Sequence, residues 1–193
     1  MRKLPENLES PIDNIIYKFI EFVAPTLYKY GFTPNILTTL GNISTLLFVY
    51  FIFKYQFKIA AVFYLIAYIF DCLDGYIARS YNMVSKFGDW YDHISDTVRT
   101  ILFFYALIKI NKKLGIISLI IVSIFILLSF IYLSHQELYY NKPDSSYTLD
   151  MLTIFKLGAN NYNVHEYLRI SRYLGCGTAY MLMVLIIFFY KKG

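Results

Sequence analysis

The chain has 193 residues, of which 58% are hydrophobic and 16% charged, and its formal net charge is +5. Mean hydropathy is +0.48. Soluble domains run at roughly 45–50% apolar and about 25% charged, so the composition excludes an ordinary soluble domain. It also excludes a disordered chain, which needs low hydrophobicity and high charge. The apolar runs are continuous rather than alternating, which argues against an outer-membrane barrel. The expected fold class is all-α integral membrane: a bundle of five to six transmembrane helices preceded by an amphipathic surface helix. In such a protein Lys and Arg flank helices at anionic headgroups, so the positive charge does not point to nucleic acid. Cys72 and Cys176 form neither a zinc nor a disulfide pattern.

Residues 1–10, MRKLPENLES, read as a loose polar tail with no secretory apolar core. Ser10-Pro11-Ile12-Asp13 reads as a helix start. Ile12, Ile15, Ile16, Phe19, Ile20 and Val23 then recur at helical spacing, opposite Asp13, Asn14, Lys18 and Glu21. This predicts a short helix that lies on the membrane and ends near Pro25. Spans are predicted over 34–53, 59–77, 88–110, 114–133 and 173–190. Between the last two, 135–172 is polar and mixed, and a sixth helix is expected either in 149–158 or from about Val164. The chain thus divides into a tail and juxtamembrane helix, 1–33, and a membrane domain, 34–193. With five spans, 11 of the Lys and Arg residues, Lys142 among them, fall on the side of the 80–87 connector and 7, including Lys192, on the other. That asymmetry puts the connector on the cytoplasmic side.

Residues 71–96, DCLDGYIARSYNMVSKFGDWYDHISD, carry the chemistry. Asp71 and Asp74 share one helix face, Asp92 and Asp96 share a face of the next helix, and the short connector makes those helices neighbours. Four carboxylates at a membrane helix pair need opposing charge. Oxygen ligands without Cys or His suit Mg²⁺ or Mn²⁺, and two such ions would neutralise the four acids and leave positions for phosphate oxygens. Gly75 lets a ligand approach the backbone, and the planar fork of Arg79 suits a diphosphate. The residues describe phosphoryl transfer on a diphosphate-linked lipid substrate, with one carboxylate left to activate an acceptor hydroxyl. A proton or cation pathway and a prenyltransferase are the competing readings. The first does not explain the spacing of Gly75, Ala78 and Arg79; the second would carry two separated Asp-rich motifs.

This stretch resembles the signature of the CDP-alcohol phosphotransferases, D-x2-D-G-x2-A-R-x8-G-x3-D-x3-D, at Asp71, Asp74, Gly75, Ala78, Arg79, Gly88, Asp92 and Asp96. Pro34-Asn35-Ile36-Leu37-Thr38 is similar to the P-N-x-x-T segment of many members. The resemblance implies an enzyme of phospholipid synthesis that passes a phospho-alcohol from a CDP-linked donor to an acceptor alcohol and releases CMP. The short chain favours CDP-diacylglycerol as donor; the alternative is a choline- or ethanolamine-type enzyme using a CDP-amino-alcohol and diacylglycerol. A membrane cation-binding or transport protein is the non-enzyme alternative. The resemblance further implies metal ligation by Asp71, Asp74, Asp92 and Asp96, with Asp96 also the general base. Asn35, Ile36, Leu37, Thr38, Gly75, Arg79 and Ser85 would contact the CDP donor. It implies a homodimer in the bilayer with a six-helix bundle. Asp89 lies outside the signature and reads as a solvated helix-start residue; Thr97 supports neither an inositol nor a glycerophosphate acceptor. His135, Gln136 and Glu137 read as an ordinary helix end, and Arg169 and Arg172 as interfacial anchors.

Overall fold

The computed structural model describes residues 1–140, 152 and 154–191. Among the described residues the secondary structure is helical throughout, with no strand. The α-helices are α1 (Pro11–Lys29), α2 (Pro34–Phe53), α3 (Phe57–Ser80), α4 (Lys86–Ile110), α5 (Lys112–Tyr140), α6 (Val164–Ser171) and α7 (Cys176–Phe188), with a 3-10 turn, Arg172–Leu174, between the last two. All five predicted spans are helices. Among the described residues, three stretches are long and apolar enough to cross a membrane: Pro34–Phe53, Lys112–Tyr140 and Val164–Phe188. At 24 and 25 residues, α3 and α4 are about 36 Å long at 1.5 Å per residue, but charged residues interrupt their apolar runs.

α3 is central. It packs against α2, α7 and α1, while α4 joins α2 to α5 and α5 closes against α6 and α7. Tyr64 of α3 anchors an aromatic core, its ring 4.9 Å from Phe48 and 5.3 Å from Phe103. Local signals fix the helix starts. Thr33 accepts a hydrogen bond from the Ile36 amide with Pro34 at the first position, and Ser85 accepts from the Gly88 amide at 3.0 Å. These caps satisfy amides that have no partner within the helix.

Several expectations are corrected. α1 does not end near Pro25 but runs through it to Lys29. The missing amide of Pro25 frees only the carbonyl of Glu21, a residue on the exposed side of the helix. The helix stops where Gly31 takes φ +81°, with Gly31 N bonded to Tyr28 O and Phe32 N to Leu27 O, the pairing of a Schellman motif. Asp13 does not face water. It is buried and accepts a hydrogen bond from Tyr68 Oη at 2.6 Å. α1 thus presents Asp13, Ile16, Tyr17, Ile20 and Ala24 to the bundle and Ile15, Phe19 and Phe22 outward.

Residues 1–10 are not loose either. Leu4 and Leu8 are buried in a cluster with Tyr132, Val164 and Leu168. Arg2 grips Glu21 through Nε at 2.7 Å and Nη2 at 2.9 Å. Two isolated leucines carry no periodicity, so their burial depends on tertiary partners 124 or more residues away in sequence. Gly177 makes the approach possible, since a Cβ there would collide with the Asp13 carboxylate. α5 continues past 133 to Tyr140, burying His135, Gln136 and Glu137. His135 Nδ1 lies 3.0 Å from Ser171 Oγ and its Nε2 3.1 Å from the Lys156 carbonyl, so this is an interior helix segment rather than a frayed end. A helix does begin at Val164; of the alternative over 149–158, residues 149–151 and 153 lie outside the described residues, as do Lys142 and Lys192, and the stretch turns at Leu157 and Gly158, which both take positive φ.

Candidate active site

The last turns of α3 and the first half of α4 bring the acidic residues to one end of the bundle. Asp71, Asp92 and Asp96 each offer a carboxylate oxygen, all within 4.8 Å of one another. Asp92 Oδ1 is buried with no hydrogen-bond partner. An orphaned carboxylate oxygen beside two others fits a hard divalent cation. Asp74 lies outside this trio. It is buried, and its Oδ2 accepts a hydrogen bond from Thr38 Oγ1 at 2.6 Å, which ties the start of α2 to the cluster.

All four acids line a cavity of about 820 Å³. Its polar lining includes Asn35, Thr38, Gly75, Arg79 and Ser85, and its apolar lining includes Ile126, Phe130 and Leu133 of α5 and Met183 of α7. The cavity lining does not include Ile36 or Leu37. Ile36 is exposed and Leu37 is fully buried in the core, because adjacent helical positions point about 100° apart. Two signature glycines have steric reasons. A Cβ on Gly75 would sit 3.0 Å from Arg79 Nη1, and one on Gly88 3.0 Å from Ser85 Oγ and 3.2 Å from Asn35 Oδ1.

Sequence reasoning missed Arg99. It is 1% exposed, and its Nη1 donates to Asp96 Oδ1 at 2.8 Å, Asp71 Oδ1 at 3.1 Å and Tyr180 Oη at 3.3 Å. It stands behind the acids, outside the cavity lining, and holds carboxylates of α3 and α4 together. Gly41 makes its room: a Cβ there would lie 3.3 Å from Arg99 Nη2 and 3.4 Å from the Ala67 carbonyl. The available signal was its position three residues after Asp96, on the same helix face. Tyr180 also donates to Asp96 Oδ1 at 3.3 Å, and its ring stacks on Tyr68 at 4.2 Å. Tyr68 in turn holds Asp13, so the surface helix reaches the site through two stacked rings.

The mouth differs from expectation at two more places. The Asp89 side chain is 9% exposed and lines the cavity, so it is not solvated. Lys3 also lines the cavity; its ammonium pairs with Glu137, and both side chains are 7% exposed. Burial pulls the Lys3 amine below its usual pKa, against the opposing pull of Glu137. Arg79 Nε donates to the Met1 carbonyl at 3.0 Å. Arg172 Nη1 donates to the Asn7 carbonyl, which makes it a clasp on the N-terminal segment rather than an interfacial anchor, and Arg169 is exposed.

The family model of CDP-alcohol phosphatidyltransferase matches residues 32–190. The chain belongs to the CDP-alcohol phosphatidyltransferase family, a group of membrane transferases of phosphate-containing groups. It is 37% identical over 90 residues to the archaetidylinositol phosphate synthase of Pyrococcus horikoshii, covering 46% of this chain and 48% of that one. It is 49% identical over 39 residues to the CDP-diacylglycerol–glycerol-3-phosphate 3-phosphatidyltransferase of Rickettsia typhi, covering 20% and 22% respectively. The Rickettsia prowazekii protein of the same description gives the same figures. The matched part thus spans half or less of these relatives. No solved structure matches the chain.

Proposed function

We propose that this chain transfers a phosphatidyl group from CDP-diacylglycerol to an acceptor alcohol and releases CMP. The observation that carries the proposal is one cavity lined both by carboxylates and Arg79 and by apolar side chains of α4, α5 and α7. The polar lining suits a nucleotide diphosphate, and the apolar lining suits acyl chains. The two Rickettsia relatives carry CDP-diacylglycerol in their descriptions, which favours that donor over a CDP-amino-alcohol.

Asp71, Asp74, Asp92 and Asp96 would hold Mg²⁺ or Mn²⁺, two ions in all. Bound there, the metals would screen the diphosphate and stabilise the leaving nucleotide. Arg79, Asn35, Thr38, Gly75 and Ser85 would bind and orient the CDP end, with Leu37 anchoring that turn in the core and Ile36 outside the cavity. Asp96 takes the acceptor's hydroxyl proton as its oxygen attacks the phosphorus that bears the diacylglycerol; the bond from that phosphorus to the bridging oxygen breaks, and CMP carries the bridging oxygen away. Arg99 keeps the Asp96 and Asp71 carboxylates oriented. The proposal includes a multi-pass chain with the acidic ends facing the cytoplasm, a homodimer, and a catalytic unit over 34–193 clasped by 1–33.

The test is CMP release from purified protein with CDP-diacylglycerol, Mg²⁺ and a panel of alcohols, with CDP-choline or CDP-ethanolamine plus diacylglycerol as a second arm. CMP is expected in the first arm. CMP only in the second would replace the donor, and none in either would refute the transferase reading.

A further inference from the structure

We propose that Lys3 is an anion-binding residue of the cavity, reaching a phosphate oxygen of a substrate from the N-terminal segment. This rests on the transferase reading and deepens it. Among the described residues that line the cavity, Lys3 and Arg79 are the two Lys or Arg side chains, against five aspartates. The aspartates come from α3 and α4; Lys3 comes from the N-terminal segment and pairs with Glu137 of α5.

The position of Lys3 is fixed. Arg2 on one side is locked to Glu21 and, at 2.9 Å, to Asn14. Leu4 on the other side is 2% exposed in its own apolar cluster. A buried ion pair such as Lys3 with Glu137 is a weak source of stability, because desolvation offsets most of the attraction. Its placement on a cavity wall therefore calls for another account. An ammonium has three donors, and the pair with Glu137 engages one of them. A phosphate group in the cavity would take another through a short charge-assisted bond. Arg79 is tied to the same segment, its Nε donating to the Met1 carbonyl at 3.0 Å, so an anion held by Lys3 and Arg79 together would relieve the repulsion between two cations. Either the diphosphate of the donor or a phosphate on the acceptor supplies that chemistry.

The experiment compares wild type with Lys3→Met, Lys3→Arg and the double variant Lys3→Met/Glu137→Leu. KM is measured for CDP-diacylglycerol, and for glycerol 3-phosphate and glycerol as acceptors. Thermal unfolding is followed in parallel. Lys3→Met removes the Lys3 ammonium from the buried Glu137 carboxylate and lowers the unfolding temperature; the double variant restores it. If Lys3 binds phosphate, the double variant still shows KM raised about tenfold or more, as for one lost charge-assisted bond, and Lys3→Arg recovers most of it. A rise for CDP-diacylglycerol assigns the donor diphosphate; a rise for glycerol 3-phosphate but not glycerol assigns the acceptor. A stable double variant with wild-type KM for every substrate overturns the proposal. Should wild type release no CMP at all, the transferase reading fails separately. Titration calorimetry with inorganic pyrophosphate and Mg²⁺ then decides on Lys3, and equal affinity in wild type and double variant overturns it.

Discussion

Glu9 is 1% exposed. Its Oε1 accepts hydrogen bonds from Tyr132 Oη and, at 3.1 Å, from the Ser10 amide. Its Oε2 is buried with no partner. Burial, with Asp13 adding repulsion, pushes its pKa from the usual 4.5 up to about 7. The folded protein therefore keeps the proton to about pH 7, whereas the unfolded chain releases it near 4.5. A raised folded pKa gives stability that is fully present below 4.5 and is lost as pH climbs through 7. At about 1.36 kcal/mol per unit, the window holds about 3 kcal/mol. Glu9→Gln keeps the shape and one acceptor but does not titrate. Urea unfolding in detergent, followed by circular dichroism at pH 5 and pH 8, measures the difference. Wild type is expected to lose about 2.5 kcal/mol more than the variant between those pH values. Identical pH dependence in the two proteins would refute the assignment of a buried, protonated Glu9.

Three further outcomes follow from the site. Arg99→Gln strips the cation from Asp71 and Asp96 and is expected to cost about 3–5 kcal/mol in the same unfolding assay, with Arg99→Lys recovering part; wild-type stability would contradict the bridging role. Asp96→Asn is expected to abolish CMP release while CDP binding by calorimetry persists, and turnover within a few fold of wild type would remove Asp96 as the base. Gly41→Val has no room against Arg99 and the Ala67 carbonyl and is expected to destabilise by about 1–3 kcal/mol, read as a lowered unfolding temperature.

Much of the bundle was legible because a membrane writes its requirement directly into sequence: long apolar runs bounded by Lys, Asn and Pro. The predicted 34–53 span coincides with α2, and the others differ from their helices by three residues or fewer at each end, except α5, which runs on from 133 to Tyr140. The acidic cluster was equally legible, since carboxylates repeating at three and four residues in apolar surroundings share a helix face. The N-terminal segment was not, because Lys3, Leu4 and Leu8 acquire meaning only from α5 and α6. Asp13 misled for a related reason: its carboxylate is buried against Tyr68 and Gly177, partners that helical periodicity cannot show. Arg99 lay in plain view at the right spacing, but a motif that ends at Asp96 directs attention away from the residue three places on.

The bridge made by Arg99 has a further consequence for assembly. Asp96 and Arg99 lie 2.8 Å apart on one helix, so α4 carries its own counter-charge. Asp71 on α3 receives its cation from α4, at 3.1 Å. α4 packs on α2, and α2 on α3, so that second bond exists only once all three helices are in place. The charge balance of the acidic cluster is thus a product of the assembled bundle and of no single helix.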